Sequence, residues 1–140
     1  GQDVQYLMKV ESPAPIAMTS APGKRLPANC TALGKALLCE HTLEELKALF
    51  NGKLVRLTEH SVVDIDVLYQ QLLEVRRTGI AQEKEENYEF VQCIATPLYK
   101  NGKPVLALSI SFPTFRYTEE KNEKLKKLLL DAKMSLELII

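Results

Sequence analysis

The chain predicts an α+β domain, a mostly antiparallel sheet with helices packed on its faces. Three observations carry that expectation. Four stretches repeat apolar residues at helical spacing, and two apolar strand runs are joined by Asn101-Gly102, a strong hairpin signal. The elements then fall in the order β-β-α-α-α-β-β-β-α with short connections and no visible domain boundary, which suits antiparallel pairing with helices on the sheet.

Each element has a local cause. Gln2 to Val10 has strand composition, and Ile16 to Met18 is a short second strand candidate after the break at Pro13 and Pro15. Pro22 to Pro27 reads as a loop with Pro-Gly turn chemistry. Asn29 or Thr31 can cap a helix through Ala32, Leu33, Ala36, Leu37 and Leu38. Thr42-Leu43-Glu44-Glu45 is a capping box, and Asn51-Gly52 ends the helix that it starts. Asp64 or Asp66 opens a third helix, with Gly79 placed as its C-terminal cap. Strands follow over Ile80 to Glu85, Phe90 to Tyr99 and Pro104 to Phe112. Thr118 caps a last helix whose Leu125, Leu128, Leu129, Ala132, Leu136 and Ile139 make one continuous apolar stripe.

Composition narrows the function classes. The 140 residues suffice for one domain with a core. Eighteen basic residues balance eighteen acidic ones, so the electrostatic footprint of a nucleic-acid-binding domain is missing. Arg76-Arg77 and the Lys124 to Lys127 run are short and read as solvated helix faces. Three cysteines without regular spacing argue against a disulfide framework. With no signal peptide and no apolar run that spans a bilayer, the expected compartment is the cytoplasm, with no membrane partner. The abrupt start in strand-like sequence suggests an excised domain.

The chemistry concentrates between Gly79 and Phe112. Cys93 sits in one apolar strand; Ser109 and Ser111, two apart, share a face of the next. Such a face suits a small polar ligand, although both hydroxyls could instead reach neighbouring backbone or solvent. The first-turn N–H groups of Thr31, Ala32 and Leu33 form either a carboxylate site or an ordinary capped helix start. Cys93 reads as a small hydrophobe rather than a nucleophile, because His41 and His60 are poorly placed to activate it. Glu83, Glu85, Glu86 and Glu89 crowd one segment. Most such charge is solvated, and an acid turned inward would need a partner or a ligand hydroxyl. No metal-ligand spacing and no Gly-rich phosphate loop occurs, so neither a metal nor another cofactor is expected.

GKRLPANCTALGKALL, then LLEVRRTGIAQEKEENYEFVQCIATPLY, then PVLALSISFPTFR resembles the IclR family of bacterial transcriptional regulators. The resemblance runs from about Val4 to Ile140 and is to the C-terminal effector-binding domain. It implies a GAF-like fold over residues 1–140, with an N-terminal winged helix-turn-helix domain, a linker helix and the opening elements of the effector domain lying outside this chain. It also implies a small organic acid as effector, DNA as partner only through that N-terminal domain, a homodimer or homotetramer, and no enzymatic activity.

Carried over by position, the resemblance gives Ala32 and Leu33 as backbone donors to the effector carboxylate. Glu83 stands at the acid that meets ligand hydroxyl or keto oxygens, one methylene longer than the family's frequent aspartate. Cys93 lines the pocket, Ser109 and Ser111 match the two serines of the last strand, and Met18, Leu26 and Val91 form the apolar wall. Tyr88-Glu89-Phe90 departs from the family's usual glycine ahead of the cysteine and places a large ring near the pocket mouth. The run SISFPTFR resembles members that sense sugar acids.

Overall fold

A computed structural model of the chain describes residues 2–7 and 23–140. The expected second strand, Ile16 to Met18, and the wall residue Met18 lie outside the described residues. Strand β1 (Asp3–Gln5) pairs antiparallel with β2 (Arg25–Pro27), with Val4 opposite Leu26. The expected loop at Pro22 to Pro27 is thus corrected in its second half. Proline is tolerated at the end of such a short edge ladder because it need not donate there.

Helices α1 (Ala32–Leu37), α2 (Leu43–Phe50) and α3 (Ile65–Thr78) follow. Thr31 rather than Asn29 caps α1, its Oγ1 accepting from Gly34 N at 3.0 Å. Thr42 and Glu45 close the expected capping box on α2, and Asp64 caps α3. Gly79 ends α3 at φ 79°, a left-handed conformation that side chains disfavour. The buried Thr96 hydroxyl donates to the Gly79 carbonyl at 2.8 Å, which ties the end of α3 to the sheet.

Strands β3 (Ala81–Lys84), β4 (Val91–Lys100) and β5 (Lys103–Pro113) form an antiparallel sheet in that order. Asn101 and Gly102 both take positive φ in the β4–β5 hairpin, as Asn-Gly predicts. The strand limits at the other end differ from expectation. Glu85 and Phe90 stand at φ 57° and 65°, so β3 stops at Lys84 and β4 starts at Val91.

The long helix α4 (Glu119–Glu137) is capped by Thr118 and covers one face of this sheet. There Leu129 packs with Ile80 and Ile94, flanked by Leu108, Ile110, Leu125 and Leu130. The expected continuous stripe is corrected: Leu128 is 58% exposed and Ile139 78%. Leu128 is one residue before the buried Leu129 and so is turned about 100° around the helix from it, and Ile139 lies beyond the last helical residue, Glu137. The opposite face carries α1. Ala32 and Ala36 lie on Ala81 and Ala95, small residues on both sides that let helix and sheet approach closely. Away from the sheet, Leu46, Phe50, Leu68 and Leu72 join Val4, Leu26, Ala28 and Leu38 in a second core. Each fully buried Leu or Phe contributes roughly 1.5–3 kcal/mol.

Candidate functional site

Register brings the expected polar residues into two adjacent rows beneath α1. Glu83 stands opposite Cys93, and Cys93 opposite Ser111. Ala81, Ala95 and Ser109 form the next row. Alternation along each strand sends both rows to the same face, where α1 also lies. Cys93 Sγ and Ser111 Oγ are 3.0 Å apart. Val91 continues this face at the Pro113 end and is buried. The alanines keep the second row shallow, so the polar atoms of the first row are not screened by bulky neighbours.

Helix α1 supplies the roof. The N–H groups of Ala32 and Leu33 belong to its first turn and have no carbonyl within the helix to reach. Thr31 bonds Gly34 and leaves those two donors alone. Leu33 packs against the Ala81–Ala95 cluster and also against the helical core. Leu26 does not join the sheet face; its side chain belongs to the helical core with Val4 and Ala28. Phe90 is 68% exposed, its ring turned to solvent just before the first β4 residue.

Glu83 is 3% exposed and, with Glu86, is one of the two acids of this cluster turned inward. Its Oε2 accepts from Glu86 N at 2.8 Å. Burial, the largest influence, pushes its carboxyl from the ordinary value of 4.5 up to about 7. The Glu86 amide and Cys93 hold it back, the Glu86 charge adds to the rise, and Lys35 opposes it. The Cys93 thiol is pushed well above its ordinary range, first by burial and then by the Glu83 charge. Such a thiol stays protonated at neutral pH and is a poor nucleophile. His60 lies 3.3 Å from Glu85 rather than beside the thiol. All three cysteines are free. Among the described residues no group of three His, Cys, Asp or Glu could hold a metal ion.

Sequence reasoning missed one partner of this site. Lys35 and Glu86 form an ion pair with side chains only 1% and 6% exposed. The signal was present: Lys35 is the one charge in the apolar α1 run, Ala32–Leu37. Asn29, considered as a cap, instead donates through Nδ2 to the Val55 and Val62 carbonyls and holds the α2–α3 connection.

A small antiparallel sheet with helices on both faces and a polar row under one helix start defines an α+β domain of the IclR C-terminal kind. Residues 1–137 match the family model for the bacterial transcriptional regulator IclR C-terminal domain, and the chain belongs to that family. It is 34% identical over 131 residues to the HTH-type transcriptional regulator KdgR of Escherichia coli (strain K12), covering 92% of this chain and 50% of that protein. The crystal structure of the Agobacterium tumefaciens repressor BlcR superposes with a TM-score of 0.90 at 29% identity, over 98% of this chain and 55% of that one. The inducer-binding domain of the Acinetobacter PobR transcription factor, a double mutant in complex with 3-hydroxybenzoic acid, superposes at 0.76 and 26% identity, over 89% and 75%. The chain spans about half the length of the curated relatives it matches. Those relatives are transcriptional regulators, not enzymes. No helix among the described residues is long and apolar enough to cross a membrane.

Proposed function

We propose that this chain is the effector-binding domain of an IclR-type regulator, with residues 1–140 as one sensing unit and a winged helix-turn-helix domain in the half that its relatives have beyond it. The effector is a small organic acid of the keto-acid, sugar-acid or aromatic-acid class. Its carboxylate meets the Ala32 and Leu33 N–H groups. Ser109, Ser111, Cys93 and Glu83 meet its other polar atoms, and Val91 and Met18 supply apolar wall, with Leu26 behind. The single observation behind this reading is the Glu83–Cys93–Ser111 row, with Ser109 beside it, under the start of α1. The 3-hydroxybenzoic acid named for the PobR domain supports an organic acid as ligand class.

Binding acts on DNA affinity only if the effector prefers one arrangement of the whole protein over another. A coupling of about 1–3 kcal/mol is typical. The test is a thermal-shift panel of 2-keto acids, dicarboxylates, sugar acids and aromatic acids. A ligand at ~100 times its Kd adds about 2.7 kcal/mol of stability and raises the Tm by several degrees. The shift is lost in Ser109→Ala/Ser111→Ala and reduced in Glu83→Ala. Variants that bind as well as the wild type remove these residues from the site.

A second reading, an oligomerisation module with a vestigial pocket, draws on the exposed apolar side chains of Leu128, Met134, Leu138 and Ile139 along and just past α4. It gives a mass that rises with concentration, as expected of a homodimer or homotetramer, and no Tm shift with any acid in the panel.

A further inference from the structure

The Lys35–Glu86 pair raises a question of its own. Two charges removed from water gain little net stability, and apolar residues of the same volume would serve at least as well. Its presence therefore points to geometry. Every polar group of Glu86 is engaged. Oε2 meets Lys35 Nζ of α1, Oε1 accepts from Val62 N at 3.1 Å, and the carbonyl accepts from Ser61 Oγ at 2.7 Å. Its N–H is the donor that holds Glu83 Oε2.

The surrounding turn needs such support. It runs from β3 to β4 with two non-glycine residues at positive φ, Glu85 and Phe90. Conformations of this kind persist only where neighbours impose them. Thr58 Oγ1 donates to the Glu85 carbonyl at 2.5 Å, and Thr114 N donates to the Phe90 carbonyl at 2.7 Å. Those contacts fix the ends of the turn. One residue in from Glu85, where the Glu83 contact lies, the turn depends on the side-chain and backbone contacts of Glu86.

We propose that Lys35 and Glu86 are positioning residues: their buried pair locks the β3–β4 turn so that the Glu86 N–H keeps the Glu83 carboxyl in the Cys93–Ser111 row. This rests on reading Glu83 as a ligand-facing group, but the lock is a property of the unliganded chain and can be measured without an effector. The groups that face Glu83 are Lys35 from α1, Glu86 from the turn and Cys93 from β4. Charge alone would give the two halves of the pair opposite effects. Removing the Glu86 charge leaves Lys35 to act on Glu83 and favours its ionised form, and removing the Lys35 charge leaves Glu86 to act and favours the protonated form. Loss of the Glu86 N–H bond, in contrast, raises the Glu83 midpoint in both.

The experiment is NMR of the chain with labelled glutamate carboxyls, together with amide hydrogen exchange, for wild type, Lys35→Met, Glu86→Gln and Ser61→Ala. The Glu83 titration is expected to move above its wild-type midpoint in both Lys35→Met and Glu86→Gln, because losing the Glu86 N–H bond outweighs losing the Glu86 charge. A midpoint that falls in Glu86→Gln shows charge acting without the lock and overturns the proposal. The Glu86 amide is expected to exchange at least about tenfold faster (~1.4 kcal/mol) in both charge variants, relative to the Leu129 amide in the α4 core. A purely structural pair would speed both amides together, and that result overturns the proposal. So does a Glu83 midpoint that stays in place in both charge variants. Ser61→Ala removes one contact to Glu86 and spares the ion pair, so its smaller, equally local change decides the matter should a charge variant not fold. The acid panel is read separately, so silence there counts against the effector reading and not against the lock.

Discussion

Gly34 passes so close to Ala28 that a Cβ built on it would stand 2.1 Å from the Ala28 carbonyl oxygen. That contact lets the 3-10 turn Ala28–Cys30 fold back on α1 and sets where the helix starts. Gly34→Ala should therefore destabilise, although alanine is the better helix former by about 1 kcal/mol. The obstacle is backbone and cannot swing aside, so a net loss of about 3 kcal/mol is expected in urea denaturation. A variant as stable as the wild type would show that α1 can shift without cost.

Glu83 gives the chain a pH dependence. Its folded carboxyl binds a proton more tightly than the unfolded one, with about 7 against an ordinary 4.5. Stability attached to this group is present below the lower value and falls as pH rises through the higher one. At ~1.4 kcal/mol per pH unit the loss amounts to roughly 3 kcal/mol. Glu83→Gln lacks that loss, so the variant should gain on the wild type as pH climbs from about 4 to about 8. Parallel stability curves in urea would contradict the buried carboxyl.

Cys93 should resist alkylation. At neutral pH iodoacetamide is expected to modify it at least about tenfold slower than free cysteine, because little thiolate exists. Peptide mapping separates it from Cys30 and Cys39, whose thiols burial also pushes up. Glu83→Gln removes the neighbouring negative charge and should speed the reaction at Cys93 alone.

Asn29→Ala strips the donor from the Val55 and Val62 carbonyls at a fully buried position. A cost of about 2 kcal/mol is expected. Limited proteolysis should then cut the connection between α2 and α3 sooner than in the wild type, with α4 unaffected.

Much of this fold is written locally. Thr31, Thr42 and Thr118 cap their helices, Gly79 ends α3 and Asn101-Gly102 turns the hairpin, each through bonds or dihedrals within a few residues. The serine and cysteine rows follow from strand alternation, which the sequence spacing already carries. What stayed hidden depends on partners distant in the chain. Arg25–Pro27 becomes a strand only because Asp3–Gln5 lies beside it. Lys35 is buried because Glu86, fifty-one residues on, comes to meet it. The left-handed Glu85 and Phe90 break strands that their composition would extend, since the turn is imposed by Thr58, Ser61 and Thr114. Leu128 and Ile139 keep the helical period of a buried stripe, but Leu129 is the residue that meets the sheet at that turn and α4 ends before Ile139.

The Asn101-Gly102 hairpin lies at the far end of β4 and β5 from Cys93 and Ser111. The extra β5 residue opposite Leu98 and Tyr99 is already counted into the pairing beyond it. Inserting or deleting one residue between that point and Ser109 would turn both serines to the α4 side and bring Leu108 and Ile110 under α1. Such a change would leave composition and strand length nearly untouched. Descendants of this chain can thus vary freely in the exposed residues of that hairpin, but not in the number of β5 residues between its bulge and Ser109.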